Sequence, residues 1–435
     1  MKLHMDLDCY FVSAERTRYP FLKGRPVVVA KGSDKRIFSQ EKKEAVLIEE
    51  SGAFNSTLQF TSKPSLTPLI KQWREEFIDS DGAIHGIVIA KSYETKRFKI
   101  KTGTPLKDAL IMCPGLIVLP SDHLFYQMLS FKLKAYLESK IPLLEQYSID
   151  EFFGDVGGWI EEEGTLDFIQ TLQHEILERF DLPISIAASK SKWIAKLATD
   201  TIKPYGTKVI DAHEVSAFTD PMKIEEFPGI GRAIERRLKS YGAETLGDAK
   251  RMQRLFESYG KTGKELYLKI LGEDNEPVHP SRERKGIGIS RNFAAIGERE
   301  ELKRRVLILS RYLSYTISKL GLNPTTFYMK LRYQYGTKSA KSITHDRLFN
   351  EAFFIDLAQS LFEELDTHPH YKIHYIGLGA SNCTGIHKRK SFSILEIEKD
   401  TKHAKLAQGL MKIRDKYGVD MIGYAKEKAG LWDFR

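Results

Sequence analysis

The chain has 435 residues, too many for one ordinary core, which predicts about two to four domains. With 42% hydrophobic and 29% charged residues it has a globular rather than a disordered composition. No apolar run reaches the roughly 20 residues that span a bilayer, so no membrane role is expected. A formal charge of +9 and a pI near 9.1 fit a polyanionic partner or, on charge alone, a merely soluble basic protein.

Three cysteines without metal-finger spacing, and an amino terminus without a signal-peptide layout, suit a reducing cytoplasm. The charge is uneven. Arg291 to Lys390 holds 16 basic against 9 acidic residues, a surplus of seven, as a phosphate-backbone partner would require.

In chain order, Lys2 to Leu7 and Arg25 to Ala30 read as buried strands. Lys31 to Gly86 loosens into mixed polar segments, after which Ile87 to Ala90 resumes a strand. A helix follows Ser121 or Asp122 as cap, with Leu124, Met128, Phe131 and Ala135 on one face. A hairpin is expected around Asp150-Glu151, closing at Gly157-Gly158. Next comes a helix with Thr165 as cap and Leu166, Ile169, Leu172 and Ile176 aligned. Ile184 to Ala188 is a strand, and Lys192 to Thr201 a helix that stops before Pro204. Asp211 to Pro280 reads as helical and turn-rich. A second α+β pattern of β-α-β-β-α-β order then begins near Ile287. In it Phe327, Met329, Leu331 and Tyr333 alternate with Tyr328, Lys330 and Arg332, a half-buried strand with a basic face. The end is charged, with a helix from His403 to Tyr417.

Two segments carry acids where core building would not place them: His4-Met5-Asp6-Leu7-Asp8-Cys9-Tyr10-Phe11 and Tyr147-Ser148-Ile149-Asp150-Glu151. Buried carboxylates are costly unless paired or bound to a cation. Three hard oxygen donors, Asp6, Asp150 and Glu151, suit Mg²⁺ better than zinc or copper. Paired divalent ions on such acids serve phosphoryl transfer, with the Leu7 carbonyl as a further oxygen ligand. Each acid segment alone reads equally as a strand ending in a loop.

Together with Ser92-Tyr93-Glu94-Thr95-Lys96-Arg97-Phe98, Ser189-Lys190, Ala195-Lys196-Leu197-Ala198 and Lys203-Pro204-Tyr205-Gly206, these motifs make the chain resemble the Y-family, translesion DNA polymerases. The resemblance runs over most of Met1 to Lys390. The Lys203 to Gly206 run leans to the DinB-like branch, with the UmuC-like branch as the alternative. It implies that Asp6, Asp150 and Glu151 are catalytic and, with the Leu7 carbonyl, bind two Mg²⁺ ions. It implies that Phe11 is the steric gate against a ribose 2′-OH, that the Tyr10 amide approaches the incoming triphosphate, and that Tyr93, Lys96 and Lys203 bind its phosphates. Seen alone, Phe11 is equally a core ring and the lysines are ordinary surface groups. Lys96 stands where the family usually has arginine, and Lys99 where it usually has glycine.

The turn Phe227-Pro228-Gly229-Ile230-Gly231-Arg232 fits a helix-hairpin-helix clamp that offers helix N–H groups to DNA phosphate, or a plain interhelix turn. Gly229, Ile230 and Gly231 are therefore DNA-binding candidates, as are Lys330 and Arg332 in the basic sheet. The resemblance implies an α+β, multidomain right-hand polymerase. Its parts are a ferredoxin-like palm (1–11 and 122–210), small fingers (12–121, with a long insertion near 31–86), a helical thumb (211–283), a βαββαβ little finger (284–390) and a tail (391–435).

The implied activity is template-directed addition of deoxynucleotides to a primer 3′-hydroxyl with release of pyrophosphate, in lesion bypass and damage tolerance, without proofreading. The implied partners are primed template DNA and dNTP, and the protein is expected to be a monomer. A sliding clamp is a further candidate through Phe392 to Ile397, although that segment lacks the usual leading glutamine and terminal aromatic. Two rivals remain at this point: a non-catalytic DNA-binding platform and a nucleotide cyclase.

Overall fold

The computed structural model describes residues 1–32, 35–39, 45–47, 58–60, 68–79, 81–281, 284–385 and 396–428. Among the described residues the chain forms two compact units, one of 1–31, 68–79 and 81–281, the other of 32, 35–39, 45–47, 58–60, 284–385 and 396–428. In chain order the elements begin with β1 (Lys2–Leu7), α1 (Tyr10–Arg18), β2 (Val27–Lys31), the short pair β3 (Ala45–Leu47) and β4 (Leu58–Phe60), α2 (Leu69–Phe77) and β5 (Ile87–Lys91). After a 3₁₀ turn at Tyr93–Phe98 come α3 (Leu106–Met112), β6 (Ile117–Pro120), α4 (His123–Glu138), β7 (Leu143–Gln146), β8 (Glu151–Asp155) and α5 (Thr165–Phe180). Then follow β9 (Ile184–Ser189), α6 (Lys192–Ile202) and β10 (Thr207–Ile210).

The first unit is organised on a five-stranded sheet of order β10-β9-β1-β8-β7. β1 lies between two antiparallel neighbours, which explains why its side chains are buried on both faces. Its alternation sorts them. Leu3, Met5 and Leu7 join Leu133 and Leu137 of α4 and Ile169, Leu172 and Ile176 of α5 in one core. By the period-2 rule His4 and Asp6 point to the other face, where α6 packs on β1 and β9. α4 begins as expected, with the Asp122 carboxylate accepting from the Phe125 amide at 3.1 Å. Thr165, expected as a cap, is instead the first residue inside α5, which Gly164 precedes.

A second, three-stranded sheet of order β5-β2-β6 is closed by Phe77, Ile100, Leu106 and Ala109. Downstream, α7 (Val215–Thr219), α8 (Arg232–Ser240), α9 (Leu246–Lys250), α10 (Gln253–Glu257) and α11 (Gly260–Leu271) share a core with Ile194, Leu197 and Ala198 of α6.

The second unit contains β11 (Gly286–Ile296), α12 (Arg299–Lys319), β12 (Leu322–Asn323), β13 (Thr326–Tyr333), β14 (Lys338–Thr344), α13 (Glu351–Leu365), β15 (Ile373–Ser381), β16 (Thr384–Gly385) and α14 (Ile397–Tyr417). Its sheet runs β11-β15-β13-β14, so α12 and α13 each join strands separated by one other, a split βαββαβ arrangement. Phe327, Met329, Leu331 and Tyr333 are buried against α12 and α13, so Tyr328, Lys330 and Arg332 lie on the opposite face.

Two segments fall differently from the sequence-based division. Ile37 and Phe38, from the stretch assigned to a fingers insertion, are buried in the core of the second unit. The Arg305 guanidinium lies 4.5 Å over the Phe38 ring. Residues 396–428, expected as a tail, are likewise built into that unit. Arg414 of α14 is forked onto Glu351 at 2.6 and 3.0 Å. Arg311 of α12 reaches Glu427 at 2.7 Å and Asp420 at 2.9 Å. Charges of the expected tail, Arg414, Asp420 and Glu427, are here paired within the unit, which periodicity cannot foresee. Phe392 to Leu395, the main part of the clamp-peptide candidate, lies outside the described residues, as does most of 31–67. Among the described residues, no helix is long and apolar enough to cross a membrane.

Candidate active site

The exit of β1 gathers the acids. Asp6 is in register with Glu151 of β8, and adjacent partners on an antiparallel pair bring side chains of one face together. The Leu7 amide donates to the Asp150 carbonyl at 3.0 Å, which fixes the Asp150 main chain beside β1. The Ser148 hydroxyl donates to the Asp150 carboxylate and accepts the Glu151 amide at 3.1 Å. Asp6, Leu7, Asp150 and Glu151 are thus assembled from two segments more than 140 residues apart.

Two lysines from α6 and its exit balance these acids. Lys203 donates to Asp6 at 2.7 Å and to Asp200 at 3.0 Å, and Lys196 donates to Glu151 at 2.6 Å. Burial pushes the Asp6 carboxyl up to about 8 against the pull of Lys203, with Asp150 and Glu151 adding to the rise. Burial, and then the Glu151 charge, also hold Asp150 above the ordinary carboxylate range, although the Ser148 hydroxyl pulls the other way. Burial tends to lower Lys203, but the Asp6 and Asp200 carboxylates more than reverse it, so it stays charged. His4 is fully buried on the same face. Burial and the charges of Lys196, Lys203 and Lys192 keep it well below its ordinary value, hence neutral.

Such a convergence of acids has the donor chemistry of a hard divalent cation site. His4, Asp6 and Glu151 can each present one ligand atom, all within 4.8 Å of one another.

Around this centre α1 starts from Cys9, whose left-handed backbone (φ +49°) turns the chain from strand into helix. Tyr10 is buried, its hydroxyl donating to the Tyr126 carbonyl. The Phe11 ring stacks on Tyr126 at 4.6 Å and meets His123 edge-on at 5.4 Å, so it has a fixed orientation. Tyr93 donates its hydroxyl to the Asp8 carboxylate at 3.1 Å, and the Lys96 ammonium lies 4.5 Å over the Tyr93 ring. Lys99 adopts a left-handed backbone, φ +58°, a conformation that glycine takes without strain.

The remaining candidates lie elsewhere. In the Gly229 turn, Gly229 has φ +103°, Ile230 is buried, and Gly231 precedes α8 without a side-chain cap, so the first N–H groups of that helix are not taken by a capping side chain. Lys330 and Arg332 belong to the second unit. Sequence reasoning missed His4, Asp8, Ser185 and Lys196 as members of the centre. The signal for Asp8 was its two-residue spacing from Asp6; for Lys196 it was its place one helical turn after Lys192.

Comparison with known proteins agrees with this picture. Residues 5–200 match the impB/mucB/samB family, and residues 284–392 match the impB/mucB/samB family C-terminal domain. A DNA polymerase IV of Dehalococcoides mccartyi (strain CBDB1) is 27% identical over 427 residues, covering 97% of this chain and 95% of the relative. Among solved structures, a Y-family DNA polymerase chimera of Dbh and Dpo4 superposes with a TM-score of 0.70 at 21% identity, covering 88% of this chain and 99% of that one. An insertion ternary complex of Dbh DNA polymerase gives 0.55 at 22% identity, with the same coverage. At those identities the structures speak for the fold. The two family matches follow one another in order and take in well over half of the chain, so the chain belongs to the impB/mucB/samB family, the DinB-like Y-family polymerases.

Proposed function

We propose that this chain is a template-directed DNA polymerase of the lesion-bypass type, whose centre is the Asp6, Asp150 and Glu151 cluster. The observation that carries the reading is the register of Asp6 on Glu151, with Lys203 seated on Asp6 at 2.7 Å. Membership of the family implies dependence on a divalent metal. Two Mg²⁺ ions are the finer reading: Asp6, Asp150, Glu151 and the Leu7 carbonyl would hold them. When bound, such ions lower the cost of forming a nucleophilic oxygen and of charging the leaving phosphate.

The chain's own residues supply the rest. Lys203 and Lys96 bind the triphosphate as its leaving oxygens gain charge, beside the Tyr10 amide, and Tyr93, whose one O–H is given to Asp8, supports Lys96 with its ring. The fixed Phe11 ring closes the space that a ribose 2′-OH would need. The helix entered through Gly229, Ile230 and Gly231, and the Lys330 and Arg332 face, hold DNA by its backbone. Backbone contacts carry no base information, which suits movement along any sequence. The substrates are primed template and dNTP, the products extended primer and pyrophosphate, with no proofreading. The protein acts as a cytoplasmic monomer, with the sliding clamp as a candidate recruiter.

Primer extension with Mg²⁺ and dNTPs tests this, comparing the parent with Asp150→Ala. The parent should extend and the variant should not. A parent that adds no nucleotide, or a variant that extends equally well, removes the assignment, and a scaffold or cyclase would then have to be sought.

A further inference from the structure

Asp8 belongs to no role assigned so far, yet it is only 1% exposed and gathers donors from three distant segments. Its carboxylate accepts the Tyr93 hydroxyl at 3.1 Å, the Ser185 hydroxyl at 3.1 and 3.2 Å and the Tyr205 amide at 2.8 Å. The donors sit in the turn after β5, in β9 and in the loop after α6. The acceptor itself is immobilised: the Asp8 amide donates to the Pro183 carbonyl at 2.9 Å, and its carbonyl accepts the Ser13 hydroxyl at 2.6 Å.

The loop it holds is the one that launches Lys203. Tyr205 has a left-handed backbone, φ +54°, a conformation that persists in a non-glycine residue only where neighbours over-determine it. Gly206 beside it has no room for a side chain, since a Cβ there would lie 2.3 Å from the Ile202 carbonyl oxygen. The Gly206 amide is also held, donating to the Ser185 hydroxyl oxygen at 3.4 Å.

We propose that Asp8 is a positioning residue that fixes the Tyr93 ring and the Lys203 to Gly206 loop in one frame, and so sets the grip of Lys203, and of Lys96 seated over that ring, on the nucleoside triphosphate. Lys96 and Lys203 come from different parts of the chain, and Asp8 holds the support of each, the Tyr93 ring and the Tyr205 loop. A carboxylate suits the place because it accepts on both oxygens. An asparagine must turn an NH₂ toward one set of donors.

The proposal rests on the polymerase reading, and its test separates the two. Steady-state primer extension and dATP binding in Ca²⁺ are measured for the parent, Asp8→Asn, Tyr93→Phe and the double variant. Asp8→Asn should raise the KM for dNTP and weaken dATP binding about tenfold, with kcat within about threefold, as expected for lost binding rather than lost chemistry. Affinity for primed template should stay within about twofold of the parent. Tyr93→Phe should add little in the Asp8→Asn background, because the two share one interaction.

An unchanged KM, a loss confined to kcat, or independent multiplication of the two effects overturns the proposal. Should Asp8→Asn fail to fold by circular dichroism, Ser185→Ala removes one donor alone. It should raise KM in the same direction, and no rise overturns the idea. A parent that extends no primer would instead overturn the polymerase reading.

Discussion

At the exit of β1, acids and lysines are buried or half-buried and interlocked, held by named neighbours at 2.6–3.1 Å. On the open face of the second sheet the opposite holds. Tyr328 is 41% exposed, and its ring lies so close over Gly379 that a Cβ there would come within 2.1 Å of it. The Arg332 guanidinium rests 4.4 Å over the Tyr375 ring. One region fixes atoms relative to one another through ion pairs; the other presents half-buried basic groups beside aromatic rings. Reacting groups must be placed to a fraction of an ångström, whereas a phosphate backbone can be held by charge from many positions. Substitutions should therefore act steeply in the first region and shallowly in the second.

The steepest effect is expected from Glu151→Ala, which removes an acid and strands Lys196. Primer extension should fall by about 10³-fold, roughly 4 kcal/mol of transition-state stabilisation. A fall of less than about tenfold would blur the contrast between the two regions.

Phe11→Ala comes next. It should admit ribonucleotides about tenfold or more readily relative to deoxynucleotides, the scale of a single steric contact in a pocket. Unchanged sugar discrimination in competitive incorporation would take Phe11 out of the gate role.

On the second unit, Lys330→Ala with Arg332→Ala should weaken duplex binding alike for all sequences. The slope of log affinity against log salt should drop by about two, one for each phosphate contact. A change that depends on sequence, or a constant slope, would mean that the sheet face does not hold backbone.

The last test reads stability rather than activity, as a pH trend of the metal-free protein. Folded Asp6 keeps its proton up to about pH 8, while an unfolded aspartate releases it near pH 4. Between those values the folded state binds more protons, so stability falls as pH rises and levels off above about 8. Thermal melts in EDTA should show that decline, and Asp6→Asn should flatten it. Parallel curves would show that Asp6 does not set the trend.

Much of this contrast could be read in advance. The alternation in Phe327 to Tyr333 is local, and it separated the buried face from the open one, while Lys2 to Leu7 read as a buried strand and is buried on both faces. The acids of the centre stood out because strand ends in a core have no ordinary use for them. What stayed hidden was pairing at long range. Asp8 meets Tyr93 and Tyr205 across 85 and 197 positions, and nothing in a window of a dozen residues records that. Ile37 and Phe38 looked like part of a loose polar stretch because their apolar neighbours come from α12 and β11. The pairing of Arg311 and Arg414 left no local signal, because their acids lie more than 60 positions away.

Those two arginines have a consequence for how the gene tolerates damage. A stop codon after residue 395 would spare every residue of the catalytic centre, yet it would delete Asp420, Glu427 and Arg414. Arg311 would lose its partners, and Glu351 would lose Arg414 and Tyr424. A buried charge stripped of its partner costs about 3–5 kcal/mol, a large part of what holds a domain folded. A late truncation of this chain is thus a folding lesion, not a trimmed end.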